Sequence, residues 1–239
     1  HHGEVRMTGD THRHFHDELS QVKVRLLTMS GEAEAALGLA VEALLERDRA
    51  KARRVIAGDG VIDAMEVEIE EMCISLLALQ QPMARDLRML TSALKIASDL
   101  ERVGDHAVNI AQSAERLIEF RMITPEPELV VMAKLSREML SDAIEAFIRG
   151  DAAAGRDVCR RDDKVDALHR SMFRILLTHM MEDPHIIGAG MELFLVSRNL
   201  ERVADLATNI GEDVVFLVEG KSIKHQAEVQ APASAAVPE

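Results

Sequence analysis

A chain of 239 residues with 28 basic against 41 acidic residues carries a net charge of −13, and 47% of it is hydrophobic. That is enough for one large domain or two of ordinary size, and the charge excludes nucleic acid as a partner over most of the surface while favouring cations or basic protein partners. Aromatic residues make up only 3%, with no Trp and no Tyr, so the core rests on Leu, Ala, Val, Ile and Met, which suits helices better than sheets.

The opening residues, His1-His2-Gly3-Glu4-Val5-Arg6, read as the remnant of an expression tag ahead of Met7, and residues 1–10 are set aside as a disordered start. Apolar residues at three- and four-residue spacing then predict six helices. The first spans Asp17 to Arg47 and the second Ala50 to Leu79; Pro82 punctuates, and the third runs from Met83 to about Arg121. Thr124-Pro125-Glu126-Pro127 is the clearest break, with Pro125 suited to a helix start. The fourth helix reaches about Arg149, Gly150-Asp151 interrupts, and the fifth reaches Met181. After Asp183-Pro184 the sixth runs from His185 to about Glu219, closed by Gly220. Met172, Met180, Met181 and Met191 read as core filler. Residues 222–239, rich in Ala, Pro, Val and Gln, read as a disordered tail. No apolar run reaches the roughly 18–20 residues that span a bilayer. Cys73 and Cys159, each isolated in an apolar helical segment, make no disulfide framework and fit a reducing, cytoplasmic setting.

The second half echoes the first. Ser98 to Ile110 aligns with Arg198 to Ile210, with eight of thirteen positions identical at an offset of 100. Val61 to Met65 aligns with Lys164 to Leu168 at an offset of 103. The chain is therefore read as all-α, a tandem duplication of a three-helix bundle over 11–123 and 124–221.

Acidic residues recur four apart in both repeats: Asp59 with Asp63, Glu101 with Asp105, Asp162 with Asp166, and Glu201 with Asp205. That spacing sets both side chains on one helix face, where like charges repel. Folding each hairpin about its proline turn brings the pairs level to within about one residue's rise, ~1.5 Å. Four carboxylates that close either have raised pKa values or hold cations, and all-oxygen ligation favours Mg²⁺, Mn²⁺, Ca²⁺ or iron. Asn109 and Asn209 continue the same face by one turn, and Glu66 and His169 stand three residues beyond Asp63 and Asp166, as additional candidate ligands. In the third helix Glu101 and Asp105 lie opposite the stripe Leu100, Val103, Ala107, Ile110, Ala114 and Leu117, so the acidic patches are expected on the outside of each bundle.

Two segments, Gln81-Pro82-Met83-Ala84-Arg85-Asp86-Leu87-Arg88 and Leu100-Glu101-Arg102-Val103-Gly104-Asp105-His106-Ala107-Val108-Asn109-Ile110, resemble signatures of the PhoU family, and Glu201-Arg202-Val203-Ala204-Asp205 doubles the second. The resemblance covers about Asp17 to Gly220. It implies two three-helix bundles with multinuclear metal clusters, iron or zinc, on Asp59, Asp63, Glu101, Asp105, Asp162, Asp166, Glu201 and Asp205. It implies further a regulator of a phosphate ABC transporter and of the phosphate-starvation two-component response. The implied partners are the transporter's ATPase subunit and a sensor histidine kinase; acidic faces bridged by cations add the expectation of a homodimer. Gly104 and His106 become Ala204 and Leu206 in the second repeat, so the two sites need not be equivalent. Gly58 and Gly60 flank Asp59, each weakening the helix there by about 1 kcal/mol.

Two other readings compete. A ferritin-like di-iron enzyme wants paired Glu-x-x-His motifs facing a bundle core, and the chain offers only Asp166-Ala167-Leu168-His169. A metal-free helical adaptor is the other. No nucleophile–base pair or Gly-rich phosphate loop stands out, so no enzyme is expected.

Overall fold

The computed structural model describes residues 4–121 and 124–224, with side chains from His14 onward. Residues 1–3, the junction at 122–123 and the tail from 225 lie outside the described residues, and so does most of the expected disordered tail. Six helices account for the chain: α1 (Glu4–Glu46), α2 (Arg49–Gln80), α3 (Ala84–Ile118), α4 (Pro127–Arg149), α5 (Ala152–Glu182) and α6 (Ile187–Glu219). A short 3-10 turn, Pro184–Ile186, precedes α6, and the described residues contain no strand.

Local chemistry sets the boundaries. Asp48 caps α2 by accepting from the backbone N–H groups of Ala50 and Lys51, and Asp151 caps α5 through Ala154. Gly150 and Gly220 close α4 and α6 in the left-handed region, at φ 66° and 70°, where a Cβ would cost energy. Three expected starts move. Helix α1 begins at Glu4 and not at Asp17, with no proline in the stretch to stop it. Helix α4 begins at Pro127 and not at Pro125: Glu126, preceding a proline, is held extended at ψ 145° and Pro127 takes the first turn, where a missing N–H costs nothing. Helix α6 begins at Ile187 because Asp183 accepts from the His185 N–H and winds Pro184–Ile186 into the 3-10 turn. Replacing Asp48 with Ala is expected to cost about 1 kcal/mol, read as a lower urea midpoint at unchanged slope; an unchanged midpoint would show that packing alone holds α2.

The buried stripes are those of the sequence pattern. Leu100, Val103, Ala107, Ile110, Ala114 and Leu117 of α3, and Leu200, Val203, Ala207, Ile210, Val214 and Leu217 of α6, are all in the core. The methionines divide: Met172 is buried, whereas Met181 and Met191 are exposed, because they fall on the outward face of the α5–α6 hairpin.

Within each repeat the three helices pack on one another, and the repeats meet through α3 on α6 and α1 on α4. Helices α3 and α6 cross antiparallel. Arg116 makes a bidentate ion pair with Glu192 at 2.7 and 3.0 Å, and at the other arm Lys95 Nζ lies 3.5 Å from Asp213. Between them Asn199 Oδ1 accepts from Asn109 and sits 2.8 Å from His106 Nδ1.

Candidate metal centre

In the first repeat α2 presents Asp59, Asp63 and Glu66, and α3 answers with Glu101 and Asp105. Asp59, Glu66 and Glu101 are half-buried, while Asp63 and Asp105 are exposed. Burial first, then the charges of Asp105, Glu66, Asp63 and Asp59, push the Glu101 carboxyl up to about 7. Asp59 is raised by burial and by Asp63 and Asp105. Glu66 is raised by burial and Glu70, partly offset by a hydrogen bond from Ser98. Gly104 makes room for this gathering, since a Cβ there would stand 3.0 Å from Ile62 and 3.7 Å from Asp59 Oδ1. A cavity of about 200 Å³ opens beside Asp59, Ile62 and Gly104.

The second repeat draws its acids closer. Asp162, Asp166 and Asp205 each offer an oxygen, and the three lie within 4.8 Å of one another. Burial, then Asp166, Asp205 and Glu201, push Asp162 up to about 7; burial and Glu201 push Asp205 up to about 6 against the pull of Arg202. Asp162 Oδ1 is buried without a hydrogen-bond partner. Three converging carboxylate oxygens, one of them orphaned, fit a hard cation with oxygen ligands. Glu201 contributes charge from outside the triad, and Arg202 reaches both Glu201 (3.7 Å) and Asp205 (3.3 Å). Among the described residues no comparable triad forms in the first repeat.

The additional candidates separate. His169 is turned away from the triad, with Nδ1 against Ser197 Oγ and its ring stacked on Phe194. Asn109 reaches across to Asn199. Asn209 lines a groove of about 300 Å³ beside Asp205, Arg202 and Arg102. Glu66 joins the first cluster electrostatically.

A contact absent from the sequence reading explains why the repeats differ. Helices α5 and α6 cross backbone on backbone at Gly155 and Gly211, where a Cβ on either would meet the other's carbonyl oxygen at 2.7 Å. The same places in the first repeat, by the 103- and 100-residue offsets, hold Ala52 and Ala111, both fully buried. Two methyl groups stand between α2 and α3 where α5 and α6 have none. A second feature went unread: half-buried Asp99 and buried Asp213 lie near each other between the repeats, with Asp99 pushed up to about 6 by burial and by Asp213. Asp213 stands on the apolar face of α6, which was the available signal.

The fold and the grooves define a class: an all-helical tandem-repeat protein that carries one carboxylate cluster per repeat. The PhoU-domain profile matches the chain twice, over residues 26–114 and 129–214, one match for each repeat. The chain belongs to the PhoU family. It is 41% identical over 209 residues to the phosphate-specific transport system accessory protein PhoU homolog of Aquifex aeolicus, covering 87% of this chain and 95% of that one. The homolog from Zymomonas mobilis is 37% identical over 215 residues, covering 90% and 91%. The crystal structure of PhoU from Pseudomonas aeruginosa superposes with a TM-score of 0.84 at 38% identity, over 87% of this chain and all of that one. The phosphate transport system regulatory protein PhoU of Streptococcus pneumoniae gives 0.82 at 31% identity, over 87% and 99%.

Proposed function

We propose that the chain is a metal-binding regulator of phosphate uptake and of the phosphate-starvation response, acting by protein contacts with the ATPase subunit of a phosphate ABC transporter and with a sensor histidine kinase. The observation that carries the reading is the double PhoU match laid on the two carboxylate-bearing hairpins. Relatives named as accessory proteins of phosphate-specific transport support the coarse role. The described helices include none long and apolar enough to cross a membrane, so attachment to a transporter would be peripheral.

Asp162, Asp166 and Asp205 would hold a cation in the second repeat, with Glu201 beside them. Asp59, Asp63, Glu101, Asp105 and Glu66 would hold one or more in the first. The metal would supply positive charge that lets the carboxylates ionise together and so fixes the outer faces of α2–α3 and α5–α6. Iron, zinc, manganese, magnesium and calcium all remain in the donor range, and a homodimer is part of the reading.

The test is complementation. In a host lacking its own copy, phosphate-starvation genes are expected to be expressed even in phosphate-rich medium, and this chain to silence them. A variant with Glu101, Asp105, Glu201 and Asp205 changed to Ala is expected to leave them on while keeping its helicity. Failure of the unmodified chain to silence them would overturn the regulatory reading. Silencing by the quadruple variant would overturn the need for metal.

A further inference from the structure

The outward face of the α5–α6 hairpin joins exposed apolar side chains to aromatic rings and arginines. On α5, Phe173, Leu177 and Met181 follow at four-residue spacing, and on α6, Ile187, Met191 and Phe194 follow at four and three, so each set lies along one helix face. Phe173 is 48% exposed, Met181 76% and Met191 47%. The rings are fixed: Phe173 meets Phe194 edge-on with centroids 5.6 Å apart, and His169 stacks on Phe194 at 5.4 Å. Together with Arg170 and Arg174 they line an open cavity of about 380 Å³, room for a Leu or Phe side chain.

Charge sets this face apart. Arg170, Arg174 and Arg198 ring it and are exposed, and no ion pair engages any of the three among the described residues. Elsewhere most arginines are paired, as Arg116, Arg156 and Arg161 are. The first repeat keeps apolar residues here, with Val67, Ile74 and Leu87 exposed where the second has Arg170, Leu177 and Ile187, but it lacks the rings and the arginines. At the 103-residue offset Glu70 and Glu71 stand where the second repeat has Phe173 and Arg174, and at the 100-residue offset Thr91 and Ser98 replace Met191 and Arg198. Divergence of a duplicated hairpin has left one copy aliphatic and acidic and the other aromatic and cationic.

We propose that this face of the second repeat docks an amphipathic helix of a partner protein, one bearing acidic residues beside Leu or Phe anchors. Charge complementarity selects that occupant. A second copy docked through the same face would set arginines against arginines. An anionic membrane is opposed by the net charge of −13 over the whole chain. The residues after Lys224 include no Leu, Phe or Met to fill the cavity. Because the first repeat has glutamates at 70 and 71 in place of Phe173 and Arg174, an acidic helix is selected by the second repeat alone and each chain takes one. The inference builds on the reading of the chain as a regulator by protein contact, and its test does not depend on that reading.

Two fluorescently labelled 20-residue helical peptides serve as probes, sharing Leu and Phe at positions i, i+4 and i+7, one with Asp and Glu elsewhere and one with Lys. Fluorescence anisotropy with the full chain is expected to show saturable binding of the acidic peptide. That binding should weaken at least about tenfold in a Phe173→Ala/Arg174→Glu variant, and remain unchanged in a Glu70→Lys/Glu71→Lys variant. Both pairs are outward-facing, and unchanged melting curves confirm that each variant folds. No binding of the acidic peptide, or equal binding by the Phe173→Ala/Arg174→Glu variant, overturns the proposal. So does flotation with phosphatidylglycerol vesicles that this variant abolishes, which assigns the face to membrane. So too does a dimer in sedimentation velocity that the variant dissociates, which assigns it to a second copy. These outcomes leave the complementation result untouched.

Discussion

Stripped of metal by a chelator, the protein is expected to melt several degrees lower at pH 8 than at pH 5, and a saturating hard divalent cation to remove most of that difference. The sign follows from the crowded carboxylates. Glu101 and Asp162 are raised to about 7 and Asp205 to about 6, each with burial as the first cause. The folded chain therefore binds more protons than the unfolded chain between about pH 4 and pH 7, and stability contributed by these groups is present below pH 4 and lost as the pH rises through that window. All three are partly exposed, so solvent screening reduces each contribution to the order of 1 kcal/mol. Together they correspond to roughly 5–10 °C for a chain of this size. A bound cation does the proton's work at high pH and flattens the slope. Asp99, raised to about 6 at the seam between repeats, lies outside both clusters and leaves a smaller slope that metal does not remove. Calorimetric scans at four pH values with and without Mn²⁺ decide the matter. A flat profile in the chelated protein, or a slope that cations leave unchanged, would sink the assignment of these acids to metal.

Changing Gly155 and Gly211 together to Ala is expected to destabilise the protein by up to about 4 kcal/mol and to weaken cation binding in the second repeat by at least about tenfold. Alanine is the better helix former by about 1 kcal/mol per position, so propensity alone predicts a gain. Packing reverses it. Each new Cβ would stand 2.7 Å from a facing carbonyl oxygen, a backbone atom that retreats only if α5 and α6 separate, and overpacking of this kind costs about 1–3 kcal/mol per site. The separation also pulls Asp162 and Asp166 of α5 away from Asp205 of α6, giving the second hairpin the spacing that Ala52 and Ala111 impose on the first. Titration calorimetry with Mn²⁺ beside thermal melting reads both effects. A stabilised double variant with unchanged affinity would show that the glycine contact does not set the carboxylate spacing.

Much of this was legible in the sequence because it depends on periodicity. The duplicated Leu-Glu-Arg-Val motif, the stripe from Leu100 to Leu117 and the four acidic pairs all follow helical spacing, and proline-centred hairpins put Asp162 and Asp166 level with Asp205 as the counting required. The misses share a different cause. Gly155 and Gly211 carry no periodic signal, and only the crossing of two backbones gives them a role. His169 has the spacing of a ligand, yet its ring turns to Ser197 and Phe194, since side-chain rotation is set by neighbours on another helix. The exposed Met181 and Met191 read as core because composition does not say which face of a two-helix hairpin is covered.

The seam between the repeats has a consequence for assembly. Two similar three-helix units could exchange partners between chains, with α3 pairing α3 and α6 pairing α6 in the same antiparallel register. The observed seam pairs Arg116 with Glu192 and Lys95 with Asp213. Mispairing of two α6 helices would set Glu192 against Phe216 and bury Asp213 against Leu195, leaving carboxylates in apolar surroundings; mispairing of two α3 helices would leave Arg116 facing Ser92 and Lys95 facing Ser113. A buried carboxylate that loses its partner costs several kcal/mol. The buried acid at Asp213 thus acts as an identity mark, by which each repeat accepts the other kind of repeat and refuses a second copy of itself.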